Sequence, residues 1–357
     1  MMTDGKNIEV LVAEDSTVLR MFLVHLLESD PRIRVVGAVA DGRAALEFVS
    51  QRKPDVVLMD IHMPRMDGFE ATRRIMEAHP VPIVICTATA SAKDVVITFQ
   101  AMEAGAIACI QKPLGLEHGD FEPIAVQMLE TVKLMSEVKV VRRTARIRPA
   151  SWTAATTGAS IPAPRPAARI RVIGIGASTG GPPVLQAILA GLRNDFPVPV
   201  LVVQHIAQGF LTGMAEWLNQ TTGLPVHIGS HGTLPLPGRV YLAPDNFHMG
   251  VGARGEIVLT REGPENHLRP AVSFLFRTLA QLHGPSAVGV LLTGMGSDGA
   301  LELKQLRDIG AITIAQDRES SVVHGMPGAA ITLGGATYVL PADQIAGVLA
   351  RLVSQTN

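Results

Sequence analysis

Cysteine is scarce in this chain: Cys86 and Cys109 are the only two in 357 residues. Both stand in apolar runs of the first half. They read as buried thiols in a reducing compartment and exclude a disulfide framework or a cysteine metal site. A surplus of charge is also missing, since the formal net charge is −1. That balance argues against a general nucleic-acid or membrane-surface binder. No apolar run is long enough to span a bilayer, and no signal pattern opens the chain, so a cytoplasmic protein without membrane insertion is expected. What is abundant is apolar residue, 47% of the total. Over this length that amount supplies cores for two domains.

The second half is organised around Gly174-Ile175-Gly176-Ala177-Ser178-Thr179-Gly180-Gly181. An apolar run enters it, and Pro182-Pro183 with an apolar-periodic segment leaves it, which is the pattern of strand, tight turn and helix start. As Gly-x-Gly-x-x-Gly it would cradle a dinucleotide, but the third glycine falls on Thr179. The next strand also ends in Gln204-His205, not in a ribose-binding acid. As Gly-x-Ser-x-Gly, Gly176 to Gly180 fits a nucleophile turn. A glycine turn with no chemistry is the other reading the motif allows.

The first half alternates apolar runs (Ile8–Ala13, Val35–Ala40, Val56–Met59, Ile83–Cys86, Ala106–Ile110) with helical patterns near 17–29, 43–51, 69–79 and 92–104. Five such repeats predict a parallel sheet covered by helices on both faces, with function at the carboxyl ends of the strands. Glu14, Asp15, Asp60, Thr87 and Lys112 all fall at those ends. Three carboxylates on one rim make a hard oxygen site that suits Mg²⁺, while a lysine and a hydroxyl would hold phosphoryl oxygens. Any one of these acids alone would read as a helix cap or loop residue.

These residues sit in Val12-Ala13-Glu14-Asp15-Ser16, in the stretch from Leu58 through Asp60 to Gly68, in Cys86-Thr87-Ala88 and in Gln111-Lys112-Pro113. Together they resemble the receiver domain of two-component response regulators. The resemblance implies a flavodoxin-like fold in which Asp60 accepts a phosphoryl group from a chemotaxis-type histidine kinase. Glu14, Asp15 and Asp60 would then bind Mg²⁺, Thr87 would be the switch hydroxyl and Lys112 the phosphate contact. Glu14 stands where the family more often has aspartate, and Cys109 where an aromatic is common.

A charge-mixed helical segment is expected from Phe121 to Val141. It gives way to an arginine run and then to Ala, Thr, Ser and Pro as far as Arg169, a composition that cannot bury a core. The expected organisation is therefore a domain over 1–125, a helical segment and linker over 126–168, and a second domain over 169–357.

From Ile170 the strand–helix alternation resumes. It predicts a second, mainly parallel α/β sheet with a small antiparallel insertion around 226–260. A serine hydroxyl needs a base, and the base needs an orienting acid. His205 ends the strand after the Ser178 turn, where neighbouring strand ends come close. Asp298 follows the apolar strand Val288–Leu292, although it also reads as an ordinary helix N-cap. Asp245 and Asp317 are further acids near strand ends. The chain order serine, histidine, acid differs from that of the α/β-hydrolases.

The motifs around Ser178, His205 (Val203-Gln204-His205-Ile206), Tyr241 to Pro244, Leu291 to Gly299, Ala315-Gln316-Asp317 and His324 to Pro327 resemble the catalytic domain of chemotaxis protein-glutamate methylesterases. That domain is Rossmann-like. The resemblance implies Ser178 as nucleophile, His205 as base and Asp298 as acid, with Thr179 and Met295 lining the site and no cofactor for the esterase step. It implies methyl-accepting chemotaxis receptors as substrate, with methanol released from glutamyl esters and selected glutamines deamidated. Ala207-Gln208 and the stretch from Arg269 to Ser273 depart from the family pattern. A phosphorylation-controlled esterase is the expectation. A non-catalytic adaptor and a DNA-binding regulator are the alternatives, and no basic recognition helix supports the latter.

Overall fold

Each apolar run of the first half is short, rich in β-branched residues and followed by a helical segment, and each becomes a strand. A computed structural model describes residues 7–87, 92–113, 121–138, 140 and 168–354. The chain forms two units, Met1–Ala159 and Ser160–Asn357. In the first, the elements run β1 (Ile8–Ala13), α1 (Thr17–Glu28), β2 (Ile33–Val39), α2 (Gly42–Gln51), β3 (Val56–Met59), α3 (Gly68–Ala78), β4 (Ile83–Thr87), α4 (Ala92–Ala104), β5 (Ala108–Gln111) and α5 (Phe121–Ser136). The strands form one parallel sheet in the order β2-β1-β3-β4-β5. This is the flavodoxin-like order. Every residue of β3 and β4 is buried, because helices cover both faces of the sheet.

Helix starts follow local chemistry. Asp41 Oδ1 accepts the Ala44 N–H at 2.9 Å, and Asp67 Oδ1 accepts the Glu70 N–H at 2.8 Å. Each satisfies one amide of a first turn. Helix α5 runs across the boundary expected at residue 125 and packs on β3, β4 and β5, burying Met128, Val132 and Met135. The Arg-, Ala- and Pro-rich stretch expected as a linker lies, from 141 to 167, outside the described residues.

The second unit contains β6 (Val172–Ala177), α6 (Gly181–Ala190), β7 (Val200–Gln204), α7 (Leu211–Thr222), β8 (Val226–Ile228), β9 (Val240–Leu242), β10 (His248–Val251), β11 (Ile257–Thr260), α8 (Val272–Leu282), β12 (Ala287–Leu291), α9 (Ala300–Asp308), β13 (Ile312–Gln316), α10 (Met326–Thr332), β14 (Tyr338–Leu340) and α11 (Ala342–Ser354). Seven strands form a parallel sheet in the order β14-β13-β12-β6-β7-β9-β8. The antiparallel part is narrower than expected. Within 226–260, β10 and β11 pair that way, whereas β8 and β9 join the main sheet in parallel. Three short elements, β10, β14 and α10, were not anticipated from the sequence pattern.

Strand β6 is the centre of this sheet, with β7 on one side and β12 on the other. The chain direction across the sheet reverses there, and the carboxyl ends of strands at such a reversal are where sites form in open α/β sheets. Glycines in β6 bring α8 close to the sheet. A Cβ at Gly174 would lie 2.4 Å from Leu279 Cδ1, and one at Gly176 would lie 2.3 Å from Val272 Cγ1. The two alternate glycines thus serve helix packing.

Candidate active site and phosphoacceptor site

Ser178 is the first residue after β6, His205 the first after β7, and Asp298 lies in the loop after β12. Three adjacent strands therefore deliver them to one edge. The register pairs Ala177 with Gln204, so Ser178 and His205 follow at the next step of two parallel strands. The His205 N–H donates to Ala177 O at 2.9 Å. Gln204, buried at the end of β7, donates from Nε2 to both Ser178 O and His205 O at 2.8 Å, clipping the two turns together. A Cβ at Gly181 would lie 2.3 Å from Gln204 Oε1, so this clip requires glycine there.

The nucleophile turn bends at Gly180, whose φ of 76° is left-handed. Ser178 N–H donates to Thr293 O at 3.0 Å, which joins the turn to the loop after β12. A third wall comes from 320–326. Gly294 N–H donates to Val323 O at 2.9 Å, and Thr293 Oγ1 donates to Thr179 O at 3.0 Å. Gln316 Oε1 in turn holds the Thr293 N–H at 2.8 Å. The Thr179 and Met295 amides make no hydrogen bond among the described residues. They are available to a developing oxyanion. Met295 is half-exposed at the rim.

Asp298 is buried, and its Oδ2 lies 3.0 Å from His205 Nε2. The distance is that of an ion pair, while the imidazole N–H direction is off the line of a formed hydrogen bond. Such contacts commonly tighten only when substrate binds. Burial pushes the Asp298 carboxyl up, but His205, Ser273 and the Val272 amide outweigh it and hold the group below the usual carboxylate range. The expected N-cap role takes a different form. Asp298 does not cap α9, whose N-cap is Gly299. It accepts the Val272 N–H at 2.6 Å and the Ser273 N–H at 3.1 Å, and so caps α8 from across the sheet edge. The other candidate acids are engaged elsewhere. Asp245 accepts the Gly209 N–H at 3.0 Å, and Asp317 accepts from Ser320.

In the first unit, oxygens of Glu14, Asp15 and Asp60 lie within 4.8 Å of one another. Lys112 Nζ reaches Glu14 Oε2 at 2.8 Å and Asp60 Oδ1 at 2.9 Å. Burial tends to push Lys112 down, yet its bonds to the two carboxylates raise it above the ordinary lysine value. Burial and the Asp60 charge push Glu14 up against the pull of Lys112. One lysine does not neutralise three acids. A hard divalent cation suits these oxygens and would relieve the remaining repulsion. Thr87, buried, ends β4 beside this rim, and its carbonyl accepts the Lys112 N–H at 3.0 Å.

Each unit matches a known family. Residues 173–349 match the family model described as CheB methylesterase, and residues 10–119 match the one described as response regulator receiver domain. A protein-glutamate methylesterase/protein-glutamine glutaminase of Nitrosospira multiformis is 53% identical over 348 residues, covering 98% of each chain. The chain belongs to the CheB methylesterase family. A second relative, from Geobacter metallireducens and of the same description, is 53% identical over 350 residues, 98% of this chain and 99% of its own. The crystal structure of the Thermotoga maritima CheB methylesterase catalytic domain has a TM-score of 0.50 at 39% identity, and covers 52% of this chain and 99% of that domain.

For this CheB-family chain, the structure brings Ser178, His205 and Asp298 to one sheet edge and Glu14, Asp15, Asp60 and Lys112 to one rim. Motif reading missed Gln204, Thr293, Gln316 and Ser273 as the residues that fix the loops. A buried glutamine closing an apolar strand is the one signal that could have pointed to Gln204 and Gln316.

Proposed function

We propose that the second unit hydrolyses glutamyl methyl esters on the cytoplasmic helices of methyl-accepting chemotaxis receptors, releasing methanol, and deamidates selected receptor glutamines. We propose also that its rate is raised when a chemotaxis-type histidine kinase phosphorylates Asp60. The observation that carries this reading is the His205–Asp298 pair standing at the strand end next to Ser178. The names of the relatives supply the substrate class.

In this reading His205 takes the Ser178 hydroxyl proton as the oxygen attacks the ester carbonyl. Nε2 faces Asp298, so Nδ1 is the nitrogen left for the serine. The carbonyl oxygen becomes an oxyanion, stabilised by the free Thr179 and Met295 amides. His205 returns the proton to the leaving methoxide, or to the leaving amine when the substrate is glutamine. Water, activated by the same imidazole, then cleaves the acyl-serine and leaves glutamate. Asp298 stays ionised and stabilises the imidazolium.

In the first unit, Glu14, Asp15 and Asp60 would hold Mg²⁺, which neutralises phosphoryl charge when bound. Asp60 Oδ1 carries bonds from Lys112 and from the Ile61 N–H at 2.7 Å. Lys112 is placed to follow the phosphoryl oxygens, and Thr87 to respond to them.

Methanol release from methylated receptor membranes tests the whole reading. Ser178→Ala should lower it by at least about 10³-fold while sparing receptor binding. A small phosphodonor should raise it in the wild type and leave Asp60→Asn unchanged. Equal rates with and without phosphodonor would refute the regulation, and an active Ser178→Ala protein would refute the chemistry.

A further inference from the structure

Three consecutive amides open helix α8, and two side chains from other elements meet them. Val272 and Ser273 donate to Asp298. The amide before them, Ala271 N–H, donates to His248 Nδ1 at 3.2 Å. Ala271 is fully buried, so an unmet amide there would carry the whole cost of its desolvation. His248 is the first residue of β10 and is fully buried too. Its ring stacks on Phe274 of α8, with centroids 5.0 Å apart and planes at 18°. At the other end of the strand, Val251 N–H donates to Thr278 Oγ1 at 3.2 Å. Strand β10 is thus tied to α8 at both of its ends.

The partners fix the tautomer of the imidazole. An amide N–H only donates, so Nδ1 is an acceptor. Nε2 lies 3.0 Å from Gly263 O, and a carbonyl only accepts, so Nε2 carries the proton. One ring therefore joins β10 to both ends of the segment 263–271. No step of the proposed ester chemistry uses it.

We infer that His248 is a positioning residue of the esterase, whose Nδ1 fixes the first turn of α8 and, through that turn, the Asp298 carboxylate. The inference rests on the Ser178, His205 and Asp298 reading above. Asp298 takes its place from the Val272 and Ser273 amides, and those are only as fixed as the turn that bears them. The bond from Ala271 to His248 holds that turn against β10. Without it the turn relaxes and the carboxylate moves with it, out of line with His205. A misplacement of about 1 Å behind a catalytic group costs up to about 10²-fold in rate.

Two substitutions separate this role from packing. Asparagine carries Oδ1 on Cγ, where Nδ1 was, and keeps an acceptor for Ala271. Glutamine carries its amide one bond farther out, near Nε2, and loses that acceptor. Both give up the stack on Phe274, so both should lower the melting temperature of the full chain. With methylated receptor membranes, His248→Gln should lower kcat roughly ten-fold, the size of one buried hydrogen bond, with KM within about two-fold. His248→Asn should keep kcat within about three-fold of the wild type. Equal kcat values for the two folded variants, or a slower asparagine variant, would overturn the inference, because packing alone does not tell the two amides apart.

If neither variant folds, NMR of the wild type decides. The Ala271 amide nitrogen should show a coupling across its hydrogen bond to an imidazole nitrogen, and His248 should be the Nε2–H tautomer. A missing coupling or an Nδ1–H tautomer would overturn the inference. Ser178→Ala run beside these variants separates the two levels. If it stays active, the triad reading itself is wrong. If it is dead while the two His248 variants turn over alike, only the role of His248 falls.

Discussion

A carboxylate carried into a buried loop needs donors, and Asp298 finds them on a helix it does not belong to. This arrangement makes its ionisation a term in stability. The folded-state pKa lies below the ordinary value, so the ionised group stabilises the fold above about pH 3.9, and that contribution is lost as pH falls through the depressed folded value. Melting temperatures of the wild type and Asp298→Asn should therefore differ by a constant amount near neutrality, with the gap narrowing below about pH 4. A gap that stays the same down to about pH 2 would contradict the donor arrangement. At this scale the sequence was readable where chemistry needs a rare residue in a rare turn, as at Ser178, His205 and Asp60. Thr293 and the capping part of Ser273 were not readable. Each acts through partners that only the fold brings near, and nothing in its local neighbourhood marks it.

Helix α8 shows the same division among elements. Its apolar periodicity was legible, and the helix starts within a residue of the expected position. Its closeness to β6 was not, because it depends on two glycines whose reason is the helix lying over them. Gly176→Val should overpack Val272 and Leu291, with a cost of about 1–3 kcal/mol. It should also weaken hydrolysis more than Gly263→Val, at a glycine with open space around it and no left-handed φ. The measurements are denaturant unfolding and methanol release for both variants. Equal losses would mean that α8 does not set the acid. The short strands β10 and β14, at four and three residues, were missed for a simpler reason. Two periods of alternation are too few to stand out, and pairing with a neighbour decides such segments.

On the scale of the whole molecule, the two parallel sheets were legible as runs of apolar strands between helices. The strand order of the first came with the receiver resemblance, but that of the second was not legible, because spacing does not say on which side of β6 the chain returns. The division of labour gives a sharp expectation. Chelation with EDTA should abolish the response to a phosphodonor, while hydrolysis in its absence should continue at an unchanged rate. Methanol release with and without chelator measures both. A fall in the basal rate would require a metal in the second unit as well, where the described residues offer no cluster of ligating acids, histidines or cysteines.

The position of β6 between β7 and β12 has a cost during synthesis. Strand β7 follows soon after β6, but β12 emerges only after Leu282. Until then one side of a fully apolar strand stands as an unoccupied template, open to any other extended segment in the cell. A ribosome stalled in this interval, or a fragment cut there, would release a sticky half-sheet. Growth temperature and the supply of holding chaperones should then govern the yield of this protein more strongly than the stability of its finished form.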